Sequence, residues 1–334
     1  MRKWYQSEGK DADVVLSSCV TLSRNLADTP FPSRMSGEIR KNTGKKIYAA
    51  LKSSELAGDF DLVNLAECSD AQAAAYAEKM LISRRFLRLK DKASFILSKN
   101  EDVSVMLCEE DHIVLTAFEG GKSLAEAYAK ADKLDDIFIR TLKIAYSDKL
   151  GFLTASPVNL GTGLNASFLL HLPALKNAGA LYRLSAMVGK LGLSLQERFK
   201  NGAGDLYVLS NRVTLGISEK SAMDNLTAVC DQIIAQERAA REEMKNNDDF
   251  EDKIYRALGI LQSARRLYTD EFLEVLSRVR LGAALKYLDI GFDKTGEMLY
   301  TLQNASLLAS AGKELTEDEC AKLRAQTIRE SLTP

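Results

Sequence analysis

The chain reads as an α+β protein, with a mixed, largely antiparallel domain over residues 1–246 and a helical domain over 247–334. Three observations lead there. Apolar residues alternate with period two in paired runs at 103–118 and 206–218. Stripes with helical spacing recur between these runs and dominate after residue 221. The run MKNNDDFED (244–252) is polar and poor in apolar residues, as a domain boundary should be.

In chain order, Val14 to Leu16 reads as a short strand, followed by SSCVTLSRNL. Phe31-Pro32 ends this lead-in, and Glu38 to Leu56 reads as helix. An Ala-rich helix is expected from Asp70, which can cap it, to Leu87. VSVML (103–107) and HIVLTAF (112–118) form a hairpin pattern with Cys108-Glu109-Glu110-Asp111 at its turn. Ser123 and Glu126 make a capping-box pattern for a helix reaching Tyr146. In GFLTASPVNLGTGLNASFLLHLPAL (151–175), a Pro/Gly/Asn turn leads into an extended run from Ala166 to Leu172, stopped by Pro173. That turn reads either as a tight connection between buried strands or as a nest of free amides for an anion.

Further on, Ala180 to Gly189 reads as helix, QERFKNGAGD (196–205) as a polar loop, and Leu206–Ser210 and Arg212–Ser218 as strands. The chain is helical from Ser221, where Leu226, Val229, Cys230, Ile233 and Ile234 share a face. Phe272, Val275, Leu276 and Val279 repeat that stripe, and Thr316 with Glu319 makes another capping box.

Composition narrows the function. An apolar fraction of 46% over 334 residues supports a sizeable core, and a formal net charge of −1 argues against nucleic acid or an anionic membrane as partner. No apolar run approaches the roughly 18 residues of a spanning helix. The five cysteines (Cys19, Cys68, Cys108, Cys230, Cys320) are scattered without C-x-x-C, which signals neither zinc nor disulfides and suits reduced thiols in the cytoplasm. The two histidines, His112 and His171, lie in apolar strand-like runs and read as structural. The acidic turn Glu109-Glu110-Asp111 reads either as solvated or as a site for a cation or a base. Arg238 and Arg241 read either as phosphate ligands or as helix-surface charges with i, i+4 partners.

NLGTG followed by ASFLLHLPAL resembles the signature of the ATP:guanido phosphotransferases, the phosphagen and protein-arginine kinases. Four more blocks match in order. SSCVTLSRNL resembles S-S-R-x-R-L-A-R-N, and VSVMLCEEDHIVL resembles V-x-x-x-x-N-E-E-D-H-x-R-I. DLYVLSNRVTLGISE is similar to the strand pair with S-N-x-x-T-L-G-x-S-E. QERAARE and the tail from RALGILQSAR to GKELTEDECAKLRAQTIRE resemble the helical domain of bacterial protein-arginine kinases. The resemblance implies an antiparallel sheet flanked by helices, and transfer of the γ-phosphoryl of Mg·ATP to a guanidinium.

It implies Glu110 as base beside Glu109, and nucleotide-binding positions at Ser17, Ser18, Cys19, Val20, Thr21, Met80, Val114, Asn165, Ala166, Ser167, Phe168, Leu169, Arg238 and Arg241. Phosphoryl transfer needs positive charge around the moving group, which arginines supply in the family. Here Cys19, Thr21, Val114 and Asn165 stand at arginine positions, Gln196 falls near a fifth, and Met80 takes a histidine's place. Removing one preorganised donor costs about 10²- to 10³-fold in rate. The phosphoarginine motif R-D-x-x-R-A is likewise reduced, to Cys320, Ala321, Lys322, Leu323, Arg324 and Ala325.

The resemblance with these departures implies a pseudokinase acting as a regulatory or scaffold protein. Its partners would be protein substrates or other proteins, including an intact kinase paralogue or a second copy of itself as a homodimer. The alternative is an active protein-arginine kinase that uses Mg·ATP through a rearranged clamp, with Arg24, Arg198 or Arg212 as compensating cations. A third reading is a module binding another anion or an arginine-bearing peptide. No metal of the protein's own is implied.

Overall fold

The computed structural model describes residues 3–245 and 248–332. An eight-stranded antiparallel sheet organises the first part. Its strands are β1 (Val15–Arg24), β2 (Phe60–Asn64), β3 (Ser94–Ser98), β4 (Val103–Leu107), β5 (Ile113–Gly120), β8 (Leu164–His171), β9 (Leu193–Glu197) and β10 (Leu206–Asn211). Their order is β2-β3-β4-β5-β1-β8-β10-β9. A two-stranded ribbon, β6 (Tyr146–Ser147) with β7 (Gly151–Phe152), stands apart. Helices α1 (Gly37–Lys52), α2 (Asp70–Glu78), α3 (Arg84–Leu87), α4 (Leu124–Thr141), α5 (Pro173–Asn177), α6 (Leu181–Lys190) and α7 (Glu219–Met244) flank the sheet. Then follow α8 (Asp248–Ser263), α9 (Thr269–Ala284), α10 (Phe292–Thr301), α11 (Asn304–Ala311) and α12 (Glu317–Leu332).

Strand parity divides the sheet into two faces. Val20, Leu22, Val105, Leu115, Ala117, Phe168, Leu170 and Leu209 pack with Phe138 of α4 and Leu226, Val229 and Ile233 of α7 in one core. On the opposite face, Phe118, Leu169 and Leu206 join Trp4 and the helical part through Phe272, Leu273, Val279 and Leu299. Phe95, Met106 and Val114 meet Ile82 and Phe86 in a third cluster on that same face. The helical part therefore covers one end of the sheet face, and α2 with α3 covers the other.

Several elements depart from the sequence expectations. The expected three-residue strand at Val14 is the ten-residue β1, central in the sheet. β2 and β9 were not expected as strands; β9, at the sheet edge, takes in only Gln196 and Glu197 of QERFKNGAGD, which read as loop. Arg212–Ser218 is irregular, because Val213 and Leu215 point to solvent and the Thr214 hydroxyl bonds the carbonyls of Val158 and Leu160 at 2.8 Å. The helix expected over 70–87 is capped by Ser69 rather than Asp70 and breaks after Glu78. Ser123 makes no side-chain cap, so its box with Glu126 is absent; its amide instead bonds Ser18 Oγ at 2.8 Å, and α4 stops at Thr141. Pro173 both ends the strand and opens α5. The Thr316–Glu319 box forms as expected, and the expected boundary at residue 246 lies outside the described residues.

Both histidines are buried. His112 Nδ1 accepts from the Leu26 amide, so its Nε2 carries the proton toward Pro30 O. His171 lies at the seam between sheet and helical part. Its Nε2 donates to Ser277 Oγ at 2.8 Å, and Ser277 in turn donates to Asp205. Burial, with Arg241 and Arg280 nearby, holds its pKa well below the usual value. In the same seam, Arg280 bonds Thr295 Oγ1 and the Ala12 carbonyl. Within the helical part, Arg324 is 1% exposed. It donates to Leu302 O at 2.7 Å, to Leu267 O and to Asn304 Oδ1, tying three connections to α12.

Two measurements check these ties. A histidine with a depressed folded pKa contributes stability that is present above its unfolded pKa of about 6.5 and is lost as pH falls below it, by at most about 1.4 kcal/mol per pH unit. The denaturation free energy of the wild type should therefore fall by about 1 kcal/mol more than that of His171→Gln between pH 7.5 and 5.5. Arg324→Met leaves buried carbonyls without a donor and should cost about 3 kcal/mol in urea unfolding. An unchanged midpoint would show that these bonds contribute nothing.

Candidate active-site cleft

A cleft of about 320 Å³ opens on the sheet face that the helical part leaves uncovered. Strand alternation decides which residues form its floor. In β1, Ser17, Cys19 and Thr21 line the cleft, while Ser18 and Val20 point the other way. Antiparallel register places Leu169, Ser167 and Asn165 of β8 opposite these three. It places Phe118 and Thr116 of β5 opposite Cys19 and Thr21 on the other side. Met106, Val114 and Val208 complete the floor. Ala166 and Phe168 lie in the opposite core, and Asn165 is exposed beyond the cleft. The floor thus carries hydroxyls, a thiol and apolar groups, and no charge. Burial pushes the Cys19 thiol up to about 12, so it stays protonated.

Met80 forms part of the wall. It takes φ 64° as the left-handed residue ending α2, with Leu81 N bonded to Tyr76 O and Met80 N to Ala77 O. This is the Schellman arrangement in which glycine is usual, so nothing in the local sequence marks the break. The chain then re-enters as α3, capped by the Ser83 hydroxyl, and Arg84 lines the cleft. Arg198, just beyond β9, enters it from the other side.

The acidic turn borders the cleft through α3. Ser83 Oγ donates to Glu109 Oε1 at 3.2 Å, and Glu109 Oε2 accepts the Glu110 amide at 2.6 Å. Glu110 is half-exposed and pairs with Arg85 at 3.1 Å, whose side chain is itself 61% exposed. An exposed pair of this kind is worth about 0–1 kcal/mol, so Glu110 remains available to a competing guanidinium. Asp111 is buried, accepting from Asn25 and the Ala155 amide, and burial raises its pKa.

The glycine-rich turn holds the fold together and offers no nest. Gly161 N bonds Phe152 O, Thr162 N bonds Thr214 O, and Leu164 N bonds Thr162 Oγ1. Gly163 has φ 64°, and a Cβ there would lie 2.6 Å from both Arg24 Nη1 and Ser23 O. Arg24 is buried and bonded to Asp135, Ser23 O and Thr162 O, which removes it as a compensating cation in the cleft. Arg212 does not line the cleft, and neither do Arg238 or Arg241. Arg238 pairs with Asp11 and Asp13. Arg241 is buried against Glu237 and the His171 carbonyl. Cys320, Ala321, Arg324 and Ala325 are buried in the helical part, with the guanidinium of Arg324 engaged as described above.

The donor set of the cleft does not match what a magnesium nucleotide triphosphate meets in the family. The floor positions implied for arginine are neutral, no carboxylate lines the cleft, and the cations present come from α3 and the end of β9. Of these, Arg84 lies outside every motif in the sequence. Only its place after a capped break in α2 brings it to the cleft.

Comparison with known proteins concerns the whole chain rather than the cleft. Residues 42–240 match the ATP:guanido phosphotransferase C-terminal catalytic domain, and residues 247–334 match the protein-arginine kinase McsB C-terminal domain. A protein-arginine kinase of Clostridium acetobutylicum is 37% identical over 339 residues, covering 99% of this chain and 100% of that protein. One of Caldanaerobacter subterraneus is 37% identical over 330 residues, covering 96% and 98%. The fold resembles the duplicated taurocyamine kinase of Schistosoma mansoni with bound transition-state analogue components, at TM-score 0.64 and 23% identity over 80% of this chain and 40% of that one. It also resembles a lombricine kinase, at TM-score 0.58 and 17% identity, covering 70% and 68%. Matched from sheet to tail, this chain belongs to the ATP:guanido phosphotransferase family, in its protein-arginine kinase branch.

Proposed function

We propose that this chain is a protein-arginine kinase homologue with strongly impaired phosphoryl transfer, acting as a regulatory or scaffold protein through contacts with other proteins. The observation that carries this reading is the uncharged cleft floor: Cys19, Thr21 and Val114 stand where the moving phosphoryl group would need guanidinium groups. Neutral side chains of this size supply neither the charge nor the forked donors of arginine. The partners under this reading are proteins, among them an intact paralogue or a second copy of the chain, and no nucleotide cofactor is required. No helix among the described residues is long and apolar enough to cross a membrane. The five free thiols suit a reducing compartment, and we assign the chain to the cytoplasm.

A second reading has its own support. Glu110 is half-exposed beside the cleft, and Arg84 with Arg198 brings cations into it. Under that reading the chain is an active protein-arginine kinase with a rearranged clamp, using Mg·ATP and protein arginines.

One experiment separates the two. The full chain and the Clostridium acetobutylicum relative are each incubated with γ-labelled ATP and an arginine-rich protein. Loss of several clamp donors should leave transfer at least about 10³-fold below that of the relative, and no higher than in Glu110→Ala. Labelling comparable to the relative's, and abolished by Glu110→Ala, would establish the active-kinase reading instead.

A further inference from the structure

Arg280 of α9 is a buried cation without a carboxylate partner. It is 4% exposed, in the seam between the sheet and the helical part. Its Nη1 donates to Thr295 Oγ1 at 2.8 Å and its Nη2 to the Ala12 carbonyl. Among the described residues it has no ion pair, and its Nε–H has no acceptor. The acidic groups of the seam are engaged elsewhere: Asp13 pairs with Arg238 and Arg241, and Glu8 accepts the amides of Phe292 and Asp293. Burial, with the neighbouring charge of Arg241, pushes the Arg280 guanidinium down to about 9.

A cavity of about 10 Å³ lies beside it, which is room for a single water-sized particle. Leucines form most of its wall, and its polar lining is Arg280, His171, Ser277 and Thr295. The hydroxyl protons of Ser277 and Thr295 go to Asp205 and to the Phe292 carbonyl. Two buried atoms of the lining are left without partners, Arg280 Nε and His171 Nδ1. Nδ1 carries a lone pair: Asp205 takes the Ser277 proton, so His171 Nε2 must donate to Ser277 Oγ. With serine between the acid and the imidazole, the row gives the serine no base and activates no nucleophile.

A lone pair on Nδ1 turns an anion away, whereas a proton there makes it a second donor toward the same space as Arg280 Nε–H. The groups around His171 decide what accompanies that proton. Arg280 on α9 and Arg241 on α7 oppose it, while Asp205 is held by Lys176, Glu237 by Arg241, and Asp13 by Arg238 and Arg241. A proton alone would add a third positive charge to the seam; a proton with a monoatomic anion adds none. We infer that this cavity is a halide site, filled by chloride as His171 takes a proton from solvent at Nδ1, with Arg280 Nε–H and His171 Nδ1–H as the two donors. The small volume excludes sulfate, phosphate and carboxylates. The helical part is then fastened to the sheet by an ion whose uptake depends on both pH and salt. The site is separate from the cleft, and it holds whether or not phosphoryl transfer occurs.

Titration of His171 in the full chain tests this, followed by NMR on histidine-labelled protein. The chain has two histidines, and the signal lost in His171→Gln identifies this one. Ionic strength is held constant with sodium chloride, sodium gluconate or sodium sulfate. Chloride should raise the His171 pKa relative to gluconate, by up to about one unit for each tenfold rise in chloride, because one anion and one proton bind together. Sulfate should act like gluconate. Arg280→Lys keeps the charge but loses the Nε–H and should lose most of the chloride dependence. Arg280→Met should lose all of it, with thermal unfolding at neutral pH checking that both variants are folded. Crystals of the wild type soaked in bromide give a second reading: an anomalous peak between Arg280 Nε and His171 Nδ1 is expected at acid pH and none above neutral pH. A His171 that titrates alike in chloride and gluconate, or stays neutral down to acid unfolding in both, overturns the inference. So does a rise in sulfate equal to that in chloride, or a cavity without bromide at acid pH.

Discussion

The buried guanidinium of Arg24 is the interaction on which the rest of the sheet region depends. It is 1% exposed, donates twice to Asp135 Oδ2 at 3.0 and 2.7 Å, and bonds the carbonyls of Ser23 and Thr162. Its central carbon lies 3.6 Å from the centre of the Phe152 ring. One side chain thus fastens β1, α4, the glycine-rich turn and the β6–β7 ribbon. Removing one partner of a buried pair typically costs about 3–5 kcal/mol, because the other charge is left without compensation. Gly163 is glycine for the same reason: its positive φ and its contact with Arg24 leave no room for a Cβ.

That anchoring separates scaffold from chemistry in this chain. The motif residues that persist are largely those that hold backbone together: Gly161 and Gly163 in the turn, Asn211 bonding the Ala166 amide and the Leu164 carbonyl, Thr214 on the 158–160 carbonyls. The positions that have changed lie on the other parity of the strands, where side chains meet the cleft instead of the core. A substitution such as arginine to Cys19 or Val114 alters the charge of the cleft without disturbing the packing of Val20 or Leu115 behind it. The fold can therefore persist while its electrostatics change. Arg238 and Arg241 belong with the scaffold, since their donors face Asp11, Asp13 and Glu237.

Much of this was legible in the residues, for identifiable reasons. The motif order indicated the family and its antiparallel sheet, whereas Cys19 and Thr21 lay beyond the short strand expected there, so their shared face is seen only in the structure. Helical stripes such as Leu226-Val229-Cys230-Ile233 became core as expected. Local pattern failed where long-range contacts decide. Val213 and Leu215 alternate like a strand, yet Thr214 is drawn to the turn at 158–160 and its neighbours face solvent. β9 was hidden because its pairing with β10 lies in the register Leu195–Leu209, not in its own polar composition. The break at Met80 uses a left-handed residue without glycine, so Arg84 could not be placed at the cleft from spacing alone. The amides of the glycine-rich turn suggested an anion nest, but only the tertiary structure shows that they bond Phe152, Thr214 and Thr162.

Phe118 and Leu169 have a position whose consequence reaches past the cleft. Each lines its floor, and each belongs to the apolar cluster shared with Trp4, Phe272 and Leu299. Occupancy of the cleft and packing of the helical layer are thus read by the same two side chains. A substitution at either side chain therefore changes the lining of the cleft and the packing of the helices in one stroke.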